Sequence, residues 1–192
     1  LAEEKMVWGP MRFDLNTRPS LIEKEAVGLL EPNGQFTLLR IEDGRVLVKD
    51  DLEIGQMSLQ GLHLMRFGDQ YYVILSGIPP GFQHMPQQPI PGMHVGQVPF
   101  GRVYAYTKEG KRAWPKPLEL QQQNVLFTQP AGLPVLIFAT QLFERRGQGG
   151  TFHVHLLAID KQTGRKVLEE KFPYTTNIFQ IIGDPEKHTV DI

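Results

Sequence analysis

Two histidines in the C-terminal half of the chain have a spacing that could bind a metal ion. His153 and His155 lie two positions apart in an apolar stretch that is predicted to be a β-strand. Side chains two apart on a strand leave the same face, and His-x-His is a recognised ligand spacing. Asp160 follows in the same stretch. The pattern predicts a metal site at His153 and His155 or, alternatively, two imidazoles on a strand surface that pack across the sheet.

A second group of chemically distinctive residues lies in a segment rich in Pro, Gln, Gly, His and Met, from Ile78 to Pro99. It contains His84-Met85 and Met93-His94, and imidazole with thioether is a ligand set suited to copper. The alternative is a long, polyproline-like loop that covers a sheet edge or contacts a partner. On that interpretation the loop binds a protein, and the candidate contact residues are Phe82, His84, Met85, Met93 and His94.

Composition excludes several classes of function. The 192 residues include 20 basic and 21 acidic side chains, for a net charge of −1, so no overall field attracts nucleic acid. The chain has no cysteine, which excludes disulfides, thiolate metal sites and a cysteine nucleophile. The longest apolar stretch, Leu133–Ala139, is far too short to span a membrane. No nucleotide-binding or nucleophile-elbow motif is present, and the sequence predicts no cofactor.

The elements that would position these residues are indicated by a repeated pattern. An apolar strand leads into a polar turn that ends on glycine, and an apolar or aromatic residue follows four positions later. The three copies pair Gly44 with Val48, Gly110 with Trp114, and Gly164 with Leu168. Without residues 78–99 and the hydrophilic residues 144–150, the glycines are 44 and 47 residues apart. These intervals are close to the roughly 40–45 residues of a four-stranded propeller blade.

The third copy resembles the PQQ-like, or quinoprotein-type, β-propeller repeat A-x-D-x-x-T-G-x-x-x-W. The matching residues are Ala158, Asp160, Thr163 and Gly164, with Leu168 in place of the final Trp. The second copy keeps Ala105, Gly110 and Trp114, and the first keeps Gly44. The resemblance implies that these residues are structural, with Asp and Thr closing the turn and Trp docking on the neighbouring blade. It also implies, for the best-known family members, a quinone and calcium site on a complete ring of six to eight blades.

We therefore predict an all-β protein, a β-propeller-like array of about three to four four-stranded antiparallel blades that could form an incomplete ring. Residues 1–25 are predicted to be a leader or extension, and residues 26–192 the repeat domain with an insertion at 78–99. One short helix candidate, Leu21–Leu30, begins at a capping box formed by Ser20 and Glu23.

The functional prediction is a non-enzymatic interaction or assembly module. The resemblance implies six to eight blades and, in many members, a disulfide beneath the quinone, whereas this chain has too few blades and no cysteine. Its partner would be another protein or a neighbouring propeller segment, with no nucleic acid and no membrane span. The alternatives are a metal-binding or quinoprotein-related enzyme that uses the histidines at 84, 94, 153 and 155, and a structural subunit of a larger complex. Because residue 1 is leucine, a cleaved export signal, an artificial start and a disordered leader all fit. The location stays open on the sequence, with a periplasmic or extracellular one slightly favoured over the cytoplasm.

Overall fold

The computed structural model describes residues 8–82, 95–130, 132–146, 149–174, 182–184 and 189–191, and within them the chain is all β. The first sheet contains β1 (Arg18–Ile22), β2 (Ala26–Leu30), β3 (Gln35–Arg40) and β4 (Val46–Asp51). The second contains β5 (Ser58–Phe67), β6 (Gln70–Ile78), β7 (Val95–Thr107), β8 (Leu118–Leu126), β9 (Val135–Arg146), β10 (Gly149–Asp160) and β11 (Lys166–Tyr174). A separate hairpin pairs β12 (Ile182–Asp184) with β13 (Thr189–Asp191).

Strand order in both large sheets follows the order of the chain, and every pairing is antiparallel. The second sheet is not uniform, however. Strand β8 pairs with β7 along most of its length, but it meets β9 at a single residue pair, Val125 and Phe138. The seven strands therefore form two units, β5–β8 and β9–β11, that are joined at this narrow contact.

The core consists of three layers of sheet with apolar residues between them. The first sheet packs on one face of β5–β7, and β9–β10 pack on the opposite face. Strand β6 lies in the middle layer, which explains why residues 71–77 are all buried instead of alternating. A third apolar cluster, which includes Ile137, Ala139, Val154 and Leu156, lies on the face of β9–β10 that points away from the middle layer.

The three repeat glycines adopt the same backbone conformation. Gly44, Gly110 and Gly164 have φ angles of 70°, 80° and 71°, in the left-handed region that only glycine adopts at little cost. At Gly164 the carboxylate of Asp160 accepts hydrogen bonds from the Thr163 backbone N–H and hydroxyl, both at 2.7 Å. These bonds close the turn in the way that the sequence predicted for Asp160 and Thr163.

Each of these glycines also lies directly against another segment of the chain. A Cβ on Gly164 would lie 2.6 Å from the indole of Trp114, and a Cβ on Gly44 would lie 2.8 Å from the indole of Trp8. A Cβ on Gly110 would lie 2.2 Å from the carbonyl oxygen of Leu47. Trp114 is the residue four positions after Gly110, and Leu47 directly precedes the residue four positions after Gly44. Consecutive copies therefore contact each other, each through the segment that follows its glycine.

The remaining repeat residues have the structural positions that their types predict. Ala105 and Ala158 are buried in the strands that lead into their turns, where a small side chain fits. Trp114 is 2% exposed and donates a hydrogen bond from its indole Nε1 to the carbonyl of Lys161 at 2.9 Å. Leu168 packs at the border of the outer apolar cluster.

Several boundaries differ from the sequence prediction. Strand β7 begins at Val95 and buries Val98, so the inserted loop is shorter than Ile78–Pro99. The first sheet begins at Arg18 rather than at residue 26, because β1 pairs with β2.

The predicted helix at Leu21–Leu30 is wrong, because this segment is the hairpin between β1 and β2. Ala26, Gly28 and Leu30 are buried while Val27 and Leu29 are only partly covered. This is the period of two of a strand with one face against the core. Burial against β5 therefore outweighs the capping pattern at Ser20 and Glu23.

Candidate functional site

A polar cleft opens where β8 and β9 diverge. We call it the Gln123 cleft; it has a volume of about 460 Å³ and is lined by Glu119–Gln123 of β8, Leu142 of β9, and side chains of β10 and β11. Its origin is the single pairing of Val125 with Phe138, after which the two strands separate. On one side of this pair both strands continue without pairing with each other, so each has a backbone edge that faces the cleft.

The local sequence of β7 and β8 helps to explain this divergence. Val98 pairs with Gln123 and Phe100 with Gln121, so the ladder skips Pro99 and Gln122. Proline has no backbone N–H to contribute there. Gln122 has a φ angle of 49°, an uncommon conformation for a residue with a side chain. The irregularity falls directly beside the cleft.

His155 lines this cleft, and His153 lies on the same face of β10, as the sequence predicts for residues two apart. The Gln123 side-chain Nε2 lies 3.0 Å from Nδ1 of His155, whose Nε2 lies 3.4 Å from Glu169 Oε1. An amide N–H that donates to Nδ1 leaves the imidazole hydrogen on Nε2, facing the carboxylate. Burial lowers the pKa of His155, against the raising effect of Glu169. The ring is therefore neutral at pH 7.

The structure gives the two predicted metal ligands separate partners. His153 Nε2 lies 3.7 Å from Glu144 Oε2, whereas His155 contacts Gln123 and Glu169. In the part of the chain that the structure describes, no group of three or more His, Asp or Glu side chains is arranged to bind a metal ion. The geometry favours the alternative prediction, in which both imidazoles make cross-strand contacts.

Of the predicted loop residues, only Phe82 falls within the described residues. His84, Met85, Met93 and His94 lie outside them. Phe82 is 39% exposed, and its ring meets that of Phe100 edge to face at a centroid distance of 4.5 Å. This contact fixes Phe82 at the base of the segment, next to β7, while leaving part of its ring accessible.

An aromatic patch that the sequence analysis missed lies on the outer face of β9–β11. We call it the phenylalanine patch; it consists of Phe143, Phe152 and Phe172, which are 54%, 36% and 37% exposed. Phe143 and Phe152 pair across β9 and β10 with ring centroids 4.8 Å apart. Phe172 pairs with Val154, a member of the outer apolar cluster, so it shares this face.

Glycine 150 makes room for this patch, since a Cβ there would lie 2.2 Å from Phe143 Cζ. The patch could have been found from the sequence by tracing the alternation of β10 backward from Val154 to Phe152 and Gly150. Apolar groups that remain exposed together on one face are a common feature of protein interaction surfaces.

The opposite end of the stack is also apolar. Leu21, Val27, Leu39 and Val46 are register partners in one row across the four strands of the first sheet. They alternate with the core residues of those strands and lie on the face that points away from β5–β7. Leu21 is 61% and Val46 46% exposed, whereas Leu39 in the same row is fully buried. Both ends of the three-layer stack therefore expose apolar side chains.

A second cleft, of about 790 Å³, lies between the β1–β2 hairpin and β5. His63 lines it, next to two glycines that leave space for its ring: a Cβ on Gly61 would lie 3.1 Å from Nε2, and one on Gly96 2.9 Å from Cε1. Burial lowers the pKa of His63, which hydrogen-bonds the backbone of Gln97 and meets Phe127 edge to face at 5.5 Å. Sequence reasoning missed His63 because a single histidine between two leucines resembles any strand residue.

The sequence matches no model of a known protein family and no curated protein. The fold and the sites are therefore the basis for proposing a function. The described residues also contain no helix with the length and apolar character needed to cross a membrane.

Proposed function

We propose that the protein is a non-enzymatic interaction and assembly module in which successive β-sheets act as propeller-like blades. Its partner is another protein or a neighbouring propeller segment that adds a further layer to the stack. The exposed phenylalanine patch carries this proposal, because Phe143, Phe152 and Phe172 continue an apolar face on which no described sheet is stacked. The inner faces of the same sheets are covered by a neighbouring layer.

The contacts between layers also support this proposal. Trp114 and the Leu47 backbone show how one repeat docks on the glycine of the next. Trp8 makes the same contact with Gly44 from a segment that precedes the first sheet, and donates from Nε1 to the Ile41 carbonyl at 2.8 Å. A residue that docks on the first sheet in this way is what a preceding repeat would supply. The segment between Ile78 and Val95, with Phe82 at its base, remains a second proposed contact.

Sedimentation velocity of the full chain over a range of concentrations tests the assembly role. We expect mass to increase with concentration, and the double variant Phe143→Ser/Phe152→Ser to remain monomeric because the patch loses two aromatic rings. Leu15→Ser is the matched control, since Leu15 is fully exposed but lies outside the patch. Deleting residues 83–94 in parallel tests the loop. A wild-type chain that stays monomeric at every concentration would contradict the proposal. So would association that neither the double variant nor the deletion weakens.

A further inference from the structure

The Gln123 cleft has the features of a docking site for an extended peptide. We infer that a peptide strand with uncharged residues at its centre binds there by adding to the free edge of β8. This inference concerns a different surface from the phenylalanine patch and does not depend on it. Three observations carry it: the free backbone edge, a buried amide without a partner, and the charge balance of the cleft walls.

The backbone provides the first observation. Between Leu118 and Asn124, β8 pairs with β7 on one side, and no described strand pairs with these residues on the other side. In an antiparallel ladder, alternate residues direct their N–H and C=O groups away from the paired strand. Such an edge is a template for another strand, and many peptide-binding domains use this mode of recognition.

The Gln123 side chain provides the second observation. It is 2% exposed and lines the cleft, and its Nε2 is engaged by His155 at 3.0 Å. Its Oε1 is buried, with no hydrogen-bond partner in the described part of the chain. A buried acceptor without a donor is unfavourable, because it has lost its hydrogen bonds to water and gained none in the protein. A backbone N–H from an added strand is a donor of the right kind, because it arrives together with the edge contacts.

The cleft walls provide the third observation, since they define the chemistry of the occupant. Among its lining residues, Glu119 and Glu169 balance Lys166 and Lys171. The lysines are already engaged: Lys166 Nζ lies 2.9 Å from Glu169 Oε2, and Lys171 Nζ lies 3.8 Å from Glu144 Oε1. The buried side chains of Leu120 and Leu157 also contribute to the walls. A peptide with a neutral centre fits this environment better than an anion or a nucleic acid does.

Selection from a random heptapeptide library displayed on phage, against the folded full chain, tests the inference. We expect selected peptides with few charges at the centre. Gln123→Met, which keeps the shape of the side chain and removes its amide, should weaken their binding at least 10-fold. Gln141→Met on β9 is the matched control and should leave binding unchanged. The double variant Phe143→Ser/Phe152→Ser should also bind normally, which separates this site from the phenylalanine patch.

Backbone methylation of a selected peptide gives a test on the unaltered protein, so it holds even if the Gln123 variant is unstable. Methyl groups on alternate nitrogens, those that face β8, should abolish binding, while methyl groups on the intervening nitrogens should be tolerated. Failure to select any peptide would overturn the inference. So would equal tolerance of all methylated nitrogens, or loss of binding in the phenylalanine double variant.

Discussion

The turns at Gly44 and Gly164 have the same backbone and docking geometry, although their side chains differ. In both, the glycine N–H donates to the carbonyl four residues earlier at 2.9 Å. In both, an indole Nε1 donates to the carbonyl three residues before the glycine, at 2.8 Å from Trp8 and at 2.9 Å from Trp114. At Gly164, the Asp160 carboxylate accepts hydrogen bonds from Thr163. At Gly44, the Asp43 carboxylate accepts hydrogen bonds from the Arg40 side chain and from the Arg45 backbone N–H. The glycine and the indole therefore define this turn, and the side chains that close it are exchangeable.

The turn at Gly110 shows the limit of that equivalence. Its glycine N–H donates to the carbonyl only three residues earlier, that of Thr107, at 2.9 Å. Its Cα faces the Leu47 backbone where the other two glycines face an indole. A side-chain ring can shift by a few tenths of an ångström, but the Leu47 carbonyl is part of the backbone and moves only if β4 moves with it. The three glycines thus share a backbone conformation, and they differ in how easily the neighbouring atoms could move to admit a side chain.

Replacing the two indoles should give the largest effects and the clearest contrast. Trp114→Ala should cost about 3–5 kcal/mol of unfolding free energy, because the ring is fully buried between two layers. Trp8→Ala should cost about 1–2 kcal/mol, because its ring is only partly buried. Urea unfolding followed by far-UV circular dichroism measures both. Equal losses would show that the Trp8 contact is as strongly packed as that of Trp114 and would remove the distinction.

Alanine at the glycines should give intermediate effects that rank with the rigidity of the neighbour. Gly110→Ala should cost about 3 kcal/mol, since a left-handed alanine is strained and its Cβ meets a fixed carbonyl. Gly164→Ala should cost about 2 kcal/mol, because the indole can yield. Gly68→Ala is the control: Gly68 has a φ of 58° and no atom within 4 Å of an added Cβ, so it isolates the cost of conformation. This ranking would be contradicted if Gly110→Ala lowered the unfolding free energy no more than Gly68→Ala does.

The Asp160 carboxylate should give the smallest effect, and one that depends on pH. Hydrogen bonds from Thr163 lower the pKa of Asp160 in the folded protein. Its contribution is therefore complete at neutral pH and is lost as pH falls below about 4, through the folded-state pKa. Asp160→Ala should cost about 1 kcal/mol at pH 7 and less at pH 3. Thr163→Val should reproduce part of this pH dependence. A loss that is the same at both pH values would show that the ionised carboxylate is not what stabilises the turn.

The contacts that a single sequence can predict are those made within a hairpin. The Asp160, Thr163 and Gly164 turn was predicted because all three residues lie within five positions and have strong local preferences. The common face of His153 and His155 follows in the same way from strand geometry. The partner of His155 could not be predicted, because Gln123 comes from another strand, and its position depends on the irregularity at Pro99 and Gln122.

Of the contacts between layers, the docking of Trp114 was predicted from the resemblance alone, and that of Trp8 was missed. Nothing in the sequence links Trp8 with Gly44, since they are joined only by the way the chain packs. The start of β7 was misplaced because Pro99 and the composition before it indicate a loop. Pairing with β6 ends at Phe100, but pairing with β8 extends the strand back to Val95. Local propensity is a weak prior when a neighbouring strand is available for pairing.

Strand order has a consequence for how the protein is made. Among the described residues, each strand in the two large sheets pairs only with strands adjacent to it in sequence, so these pairings need no partner from a distant part of the chain. Short sequence separation speeds the search for native pairings. The first sheet can therefore form while later residues are still being synthesised, and it then offers a ready surface on which β5–β7 settle as they leave the ribosome.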